Sequence, residues 1–314
     1  AALTRAFVEG YYGPAAPHLL AYLALVHDAA EKADIYLRCY MRDTASWLPP
    51  EDVGRATRLF DRALAAVRDD PVYRARVRRA RLPLDNVWLQ RYKSLALAFK
   101  RIGGAFPGPA DPAAAAREYI RLSETFGNRY YAEGRPFADY ARQLRARYDR
   151  PAGPPPEPCR NLPAGRWVDF QDGFFHLSRD EWARTVDDDA AADGRAARMP
   201  ATHHQWALQC PLSDDLAYGN PWRCFVVARC EAKKNAAGPV MTMGIYDRRA
   251  RKAVTGRTVT AAEAAGATYR LFDLGTHDIH GGCYVWVAPR KRPDAVTAVS
   301  VDRIFLVRPA AKKQ

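Results

Sequence analysis

The sequence predicts two domains of different class: an N-terminal helical bundle, then an antiparallel β-sandwich of jelly-roll type. Three observations lead there. Up to residue 149 apolar residues recur every three or four positions. A proline-rich stretch, RPAGPPPEPCRNLPAG (150–165), then interrupts the chain, and beyond it the apolar period falls to two. The 314 residues leave room for two ordinary domains, and a 48% hydrophobic content supplies their cores.

The helical elements follow in order. Pro17 starts a helix whose stripe is Leu19, Leu23 and Val26. Pro49-Pro50-Glu51-Asp52 opens a second, with prolines and acids in its first turn and Val53, Phe60, Leu64 and Val67 facing inward. A third runs from Pro71 through Val77, Leu84, Trp88, Leu95 and Phe99, with a kink expected at Pro83. Two more span Pro112 to Phe126 and Pro136 to Tyr148. Stripes this short bury only against one another, hence a bundle over 1–149. Residues 150–165 read as a semi-rigid linker. From 166 to 309, runs such as DFQDGFFHLS, HHQWALQC, RCFVVARCEA, VMTMGIYD, YVWVAP and VDRIFLVR are strand-like. About eight of them, with no crossover helix between, predict the sandwich. A basic tail, 310–314, closes the chain.

The net charge of +13 raises nucleic acid as a partner, but the charge is spread over both halves and is mostly Arg. Its densest run, RARVRRAR (74–81), falls at helical spacing and reads as a solvated face, so nucleic acid is not the expected partner. No apolar run reaches a membrane-spanning length, and no signal peptide is visible. The six cysteines include no C-x-x-C pair and do not decide the redox compartment.

One block carries a resemblance. FVEGYYGPAAPHLLAYLALVHDAAEKADIYL, followed by WLPPEDVGRATRLFDRALAAV and RVRRARLPL, resembles the distal part of the bacterial domain-of-unknown-function family 4838. Those proteins look like glycoside hydrolases related to α-glucuronidases and hexosaminidases. The match covers most of residues 5 to 95, and HHQWALQ, YVWVAP and VDRIFLVR resemble the β-sandwich appended to some members. The resemblance implies an exported protein acting on carbohydrate. It also implies a catalytic barrel upstream of this chain, a partner that would make the chain a C-terminal fragment without catalytic residues of its own. The alternative is a self-contained, non-catalytic module that binds a glycan or a protein.

Site candidates divide by role. Sugar recognition uses aromatic platforms with amide, carboxylate and guanidinium groups for the hydroxyls, and the expected platform is Trp222 and Tyr218 with His203 and Gln205. Strand alternation through HHQWALQC puts Trp206 on the core face with Leu208 and Cys210, leaving His203, Gln205 and Gln209 opposite. By the same rule Trp286 shares a face with Tyr284 and Ala288, away from Val285 and Val287. Tyr11, Tyr12, Tyr36 and Arg38 are expected at the edge of a cleft in the intact parent. Asp169, Asp172 and Asp302 are candidates for a structural calcium site, and no other cofactor is expected. HDIHGGCY (277–284) has metal-ligand residue types but reads better as a polar turn, and the Asp187-Asp188-Asp189 triplet reads as a solvated loop.

Overall fold

The computed structural model describes residues 2–36 and 43–310. The chain divides into two compact units, Ala1–Asp149 and Arg150–Gln314. The first contains α1 (Ala2–Tyr12), α2 (Ala16–Lys32), α3 (Pro50–Ala66), α4 (Pro71–Ile102), α5 (Pro112–Thr125), a small hairpin of β1 (Tyr130–Ala132) and β2 (Arg135–Pro136), and α6 (Phe137–Tyr148).

Capping fixes two of the starts. The Asp70 carboxylate accepts hydrogen bonds from the amides of Val72 and Tyr73 at 2.9 and 3.0 Å, and Asp111 accepts from Ala113 and Ala114 at 2.8 and 3.0 Å. A proline follows each cap at a position where no amide donor is needed. Helix α4 is continuous through Pro83, the position at which the sequence predicts a kink. Its length lets it serve two cores. Val77, Leu84, Trp88, Leu95 and Phe99 pack with residues of α1, α2 and α3, whereas Leu82 and Leu89 pack with α5 and α6. The GYYG motif is helical through Tyr12 and turns at Gly13, whose φ is +53°. A Cβ at Gly13 would lie 2.7 Å from the Tyr73 ring, so both backbone and packing require glycine there.

The second unit contains β3 (Trp167–Gln171), β4 (His176–Leu177), β5 (Arg184–Asp187), β6 (Arg195–Pro200), β7 (Leu208–Pro211), β8 (Trp222–Ala232), β9 (Pro239–Asp247), β10 (Lys252–Thr260), α7 (Ala261–Ala264), β11 (Arg270–His277), β12 (Cys283–Pro289) and β13 (Val296–Val307). One sheet has the order β10-β9-β12-β7-β4; the other is β11-β8-β13-β6-β5, with β3 also paired to β13. Apart from the β9–β10 hairpin, strands β6 to β13 therefore alternate between sheets in jelly-roll order: β6-β13-β8-β11 on one side and β7-β12-β9-β10 on the other. Met243, Ile245, Val285 and Val287 from the first sheet and Val226, Val299, Ile304 and Leu306 from the second are fully buried. Each such side chain contributes roughly 1.5–3 kcal/mol by leaving water.

The proline-rich segment belongs to the second unit. Rather than standing clear as a spacer, it folds back, and Cys159 joins Phe225 and Phe305 in a small cluster. A one-residue bulge interrupts β13, because Val301 pairs with Ala228 and Arg303 with Val227, which leaves Asp302 as the extra residue.

Candidate functional site

The first sheet carries an aromatic face. Along β12, Cys283, Val285 and Val287 point to the core, while Tyr284, Trp286 and Ala288 form a separate cluster with Tyr246 of β9. Register sets the neighbours: Tyr284 lies opposite Tyr246, and Trp286 lies opposite Gln209 on one side and Gly244 on the other. Gly244 in turn faces Gly256 of β10. A Cβ at Gly244 would meet the Trp286 ring at 3.1 Å, so that ring lies over the glycine. A Cβ at Gly256 would meet nothing within 4 Å. Trp286 thus covers Gly244, and Gly256 is the open, side-chain-free position next to it.

Trp206 completes the face. Its ring lies parallel on Trp286, with centroids 4.2 Å apart and planes 8° from parallel, and it meets Tyr246 edge-on at 5.7 Å. Trp206 is 38% exposed, so its outer surface is open to solvent. Polar groups frame it. The Arg248 guanidinium sits 4.5 Å above the Tyr284 ring and donates to the Gln209 side-chain oxygen at 2.9 Å. Trp286 is 8% exposed, and its indole N–H has no acceptor among the described residues. Leaving a buried donor unpaired costs about 1–3 kcal/mol.

Trp206 departs from the sequence expectation for a local reason. Strand β7 begins only at Leu208, and the Ala207 amide bonds back to the Gln205 carbonyl at 2.7 Å. Alternation therefore does not extend to Trp206, which swings to the outer face. His203 holds the segment in place. Its Nδ1 accepts from the Gln205 amide at 3.1 Å, so the proton sits on Nε2 and is donated to the Trp182 carbonyl at 2.8 Å. Burial, with a smaller push from His204, lowers its pKa against the raising effect of the Trp182 carbonyl, which keeps the ring neutral.

The other expected residues are placed as follows. Trp222 is 1% exposed and donates its indole N–H to the Leu216 carbonyl at 2.8 Å, so it fills the core and offers no surface to a ligand. Tyr218, in the turn before β8, and Gln205 are exposed, but on different segments. Tyr11 stacks on Phe7 and lies under Arg76, which also donates to the Tyr11 carbonyl; Tyr12 packs against the first helical core. Tyr36 is exposed, and Arg38 lies outside the described residues.

The three calcium candidates do not converge on a common point. Asp169 and Asp302 both pair with Arg303, at 3.3 Å each, and Asp172 faces Arg195 at 3.9 Å. Among the described residues no group of three metal-ligating side chains meets. In HDIHGGCY, His280 pairs with Asp247 at 3.3 Å, His277 bonds the Leu274 carbonyl and Cys283 is buried, as befits a turn. Asp188 is not a solvated loop residue: it accepts from Arg229 at 2.8 Å and the Tyr269 hydroxyl at 2.6 Å.

A 340 Å³ cleft in the helical unit brings Asp61, Asp85 and Glu118 together. Arg81 binds Asp61 at 2.7 Å and Asp85 at 3.0 Å, and Arg121 holds Glu118. Each carboxylate already has a cation, an arrangement suited to joining helices rather than to moving protons.

No family model matches this sequence, and no curated protein matches it. Distant likenesses exist among solved structures. An arabinose-bound α-L-arabinofuranosidase is 9% identical, with a TM-score of 0.32; the match covers 45% of this chain and 24% of that one. The CBM22-1 xylan-binding domain from Paenibacillus barcinonensis Xyn10C is 11% identical, with a TM-score of 0.33, over 46% of this chain and 95% of that one. A family 35 carbohydrate binding module from Clostridium thermocellum is 14% identical, with a TM-score of 0.31, over 45% and 98%. At such distances neither fold nor ligand is inferred from them; the jelly roll rests on the strand order of this chain.

Proposed function

We propose that the sandwich is a non-catalytic glycan-binding module whose ligand lies across the outer face of the β10-β9-β12-β7-β4 sheet. The observation that carries this reading is the open Trp206 ring, stacked on Trp286 near the open Gly256 position. A pyranose has an apolar C–H face that stacks on an indole, and hydroxyls at its rim that need partners. Gln209 and Arg248 supply an acceptor and donors at that rim, and Gly256 lets a ring approach the backbone. Of the clustered aromatic rings Trp206 is the one open to solvent, with Trp286 and Tyr284 buried beneath and beside it as its support.

Affinity electrophoresis in gels containing soluble polysaccharides tests the proposal, with Gly256→Tyr as the discriminating variant. Space at Gly256 lets the variant fold, while its ring fills that open position. Retardation by at least one polysaccharide, abolished in Gly256→Tyr at unchanged thermal stability, is the expected result. Equal retardation of both proteins would rule the face out. We further propose that this module stands beside a glycoside hydrolase in a longer polypeptide, an extension that the mass of the native polypeptide in its source tests.

A further inference from the structure

The open half of the aromatic face lies on β9 and β10. Thr242, Gly244 and Tyr246 of β9 share the outer face, and Thr242 and Gly244 pair with Thr258 and Gly256 of β10. Thr242 is half-buried and Thr258 exposed; neither hydroxyl has a partner among the described residues, and neither is sealed from solvent. Strand β10 is the edge of its sheet, so a chain that passes over Gly256 can leave the face there.

These positions add a seat beside the stacking ring. Trp286 lies over Gly244, and Gly256 is one strand further on. Neighbouring strands are about 4.8 Å apart, close to the length of one β-linked pyranose, so successive sugars of a chain can follow successive strands. The floor at Gly256 is bare, since a Cβ there would meet nothing within 4 Å. Thr242 and Thr258 lie directly opposite one another, and each hydroxyl can donate one hydrogen bond and accept two. Cross-strand side chains of this kind are about 5 Å apart, within reach of two neighbouring hydroxyls on one edge of a sugar ring.

The same face is the wrong shape for a crystalline surface of packed chains, which needs several exposed rings in one plane. Trp206 alone of the aromatic cluster is open. Tyr284 and Trp286 are 6% and 8% exposed, and Tyr246 is half-buried with its plane 64° from that of Trp206. Building on the glycan-binding reading above, we propose that this face takes a single free polysaccharide chain and reads two consecutive sugars. One stacks on Trp206, and the next sits over Gly256 with two of its hydroxyls bonded to Thr242 and Thr258.

Isothermal titration of the whole chain with xylo-, manno- and cello-oligosaccharides, from monosaccharide to hexasaccharide, tests the assignment, together with co-sedimentation on microcrystalline cellulose and chitin. Affinity within a bound series is expected to rise at least tenfold from monosaccharide to disaccharide, and neither crystalline powder should retain the protein. Thr242→Val combined with Thr258→Val, nearly the same in shape, should weaken disaccharide binding at least tenfold at equal thermal stability. Thr242→Ser combined with Thr258→Ser retains both hydroxyls and should bind as the native chain does. Trp206-dependent binding that ignores the loss of both hydroxyls, that is as tight for a monosaccharide as for a disaccharide, or that extends to the powders would overturn the two-sugar assignment and leave the glycan-binding reading standing. Binding indifferent to Trp206, or no binding of any oligosaccharide, would overturn both.

Discussion

At Asp302 burial and charge are in direct conflict. Its carboxyl pKa is pushed up to about 6, chiefly by burial, with Asp169 and Asp193 adding to the rise and Arg303 and the Ala192 amide opposing it. The folded protein thus holds this proton more tightly than the unfolded chain. The resulting stabilisation is complete below the ordinary value of 3.8 and is lost as pH rises through about 6. Its size is on the order of 2–3 kcal/mol. Urea denaturation at a series of pH values should show that decline in the native chain and a flatter profile in Asp302→Asn; parallel profiles would refute it. Gly219 gives a second test. A Cβ there would lie 2.2 Å from the Trp222 ring, so Gly219→Ala should destabilise the protein by about 1–3 kcal/mol in denaturant melts.

At the scale of elements, the helix starts were legible because each signal is local: Pro71 and Pro112 each follow a capping Asp. The strands were legible from alternation, which also put Trp286 on the outer face with Tyr284 and Ala288. Alternation failed at Trp206 because no sequence signal marks where β7 begins, and the turn at Ala207 reverses the face. Trp222 misled for a related reason. Its place in YGNPWR reads as loop, yet it is the first residue of β8 and its ring is buried. The bulge at Asp302 was equally hidden, since pairing register is a property of two strands together. His203 matters here through its grip on the segment carrying Trp206. His203→Ala should therefore weaken glycan binding severalfold while leaving the sandwich folded, and restored binding in His203→Gln would mark the role as positional.

For the whole molecule, two units with separate cores imply that residues 150–314 melt cooperatively on their own, which calorimetry on that segment would check. Several arginines are held in ion pairs, such as Arg198–Glu231, Arg223–Asp273 and Arg249–Asp214, while the net +13 remains as surplus positive charge. Binding through stacking and neutral hydrogen bonds should nevertheless change little between about 50 and about 200 mM salt, where phosphate-driven binding falls steeply. The measurement that bears most directly on the central claim is isothermal titration of the chain and of Trp206→Ala with a panel of soluble oligosaccharides. Saturable heat from at least one oligosaccharide, reduced at least tenfold in Trp206→Ala at equal stability, is the result the aromatic face requires. Binding that is indifferent to Trp206, or absent across the panel, would contradict it.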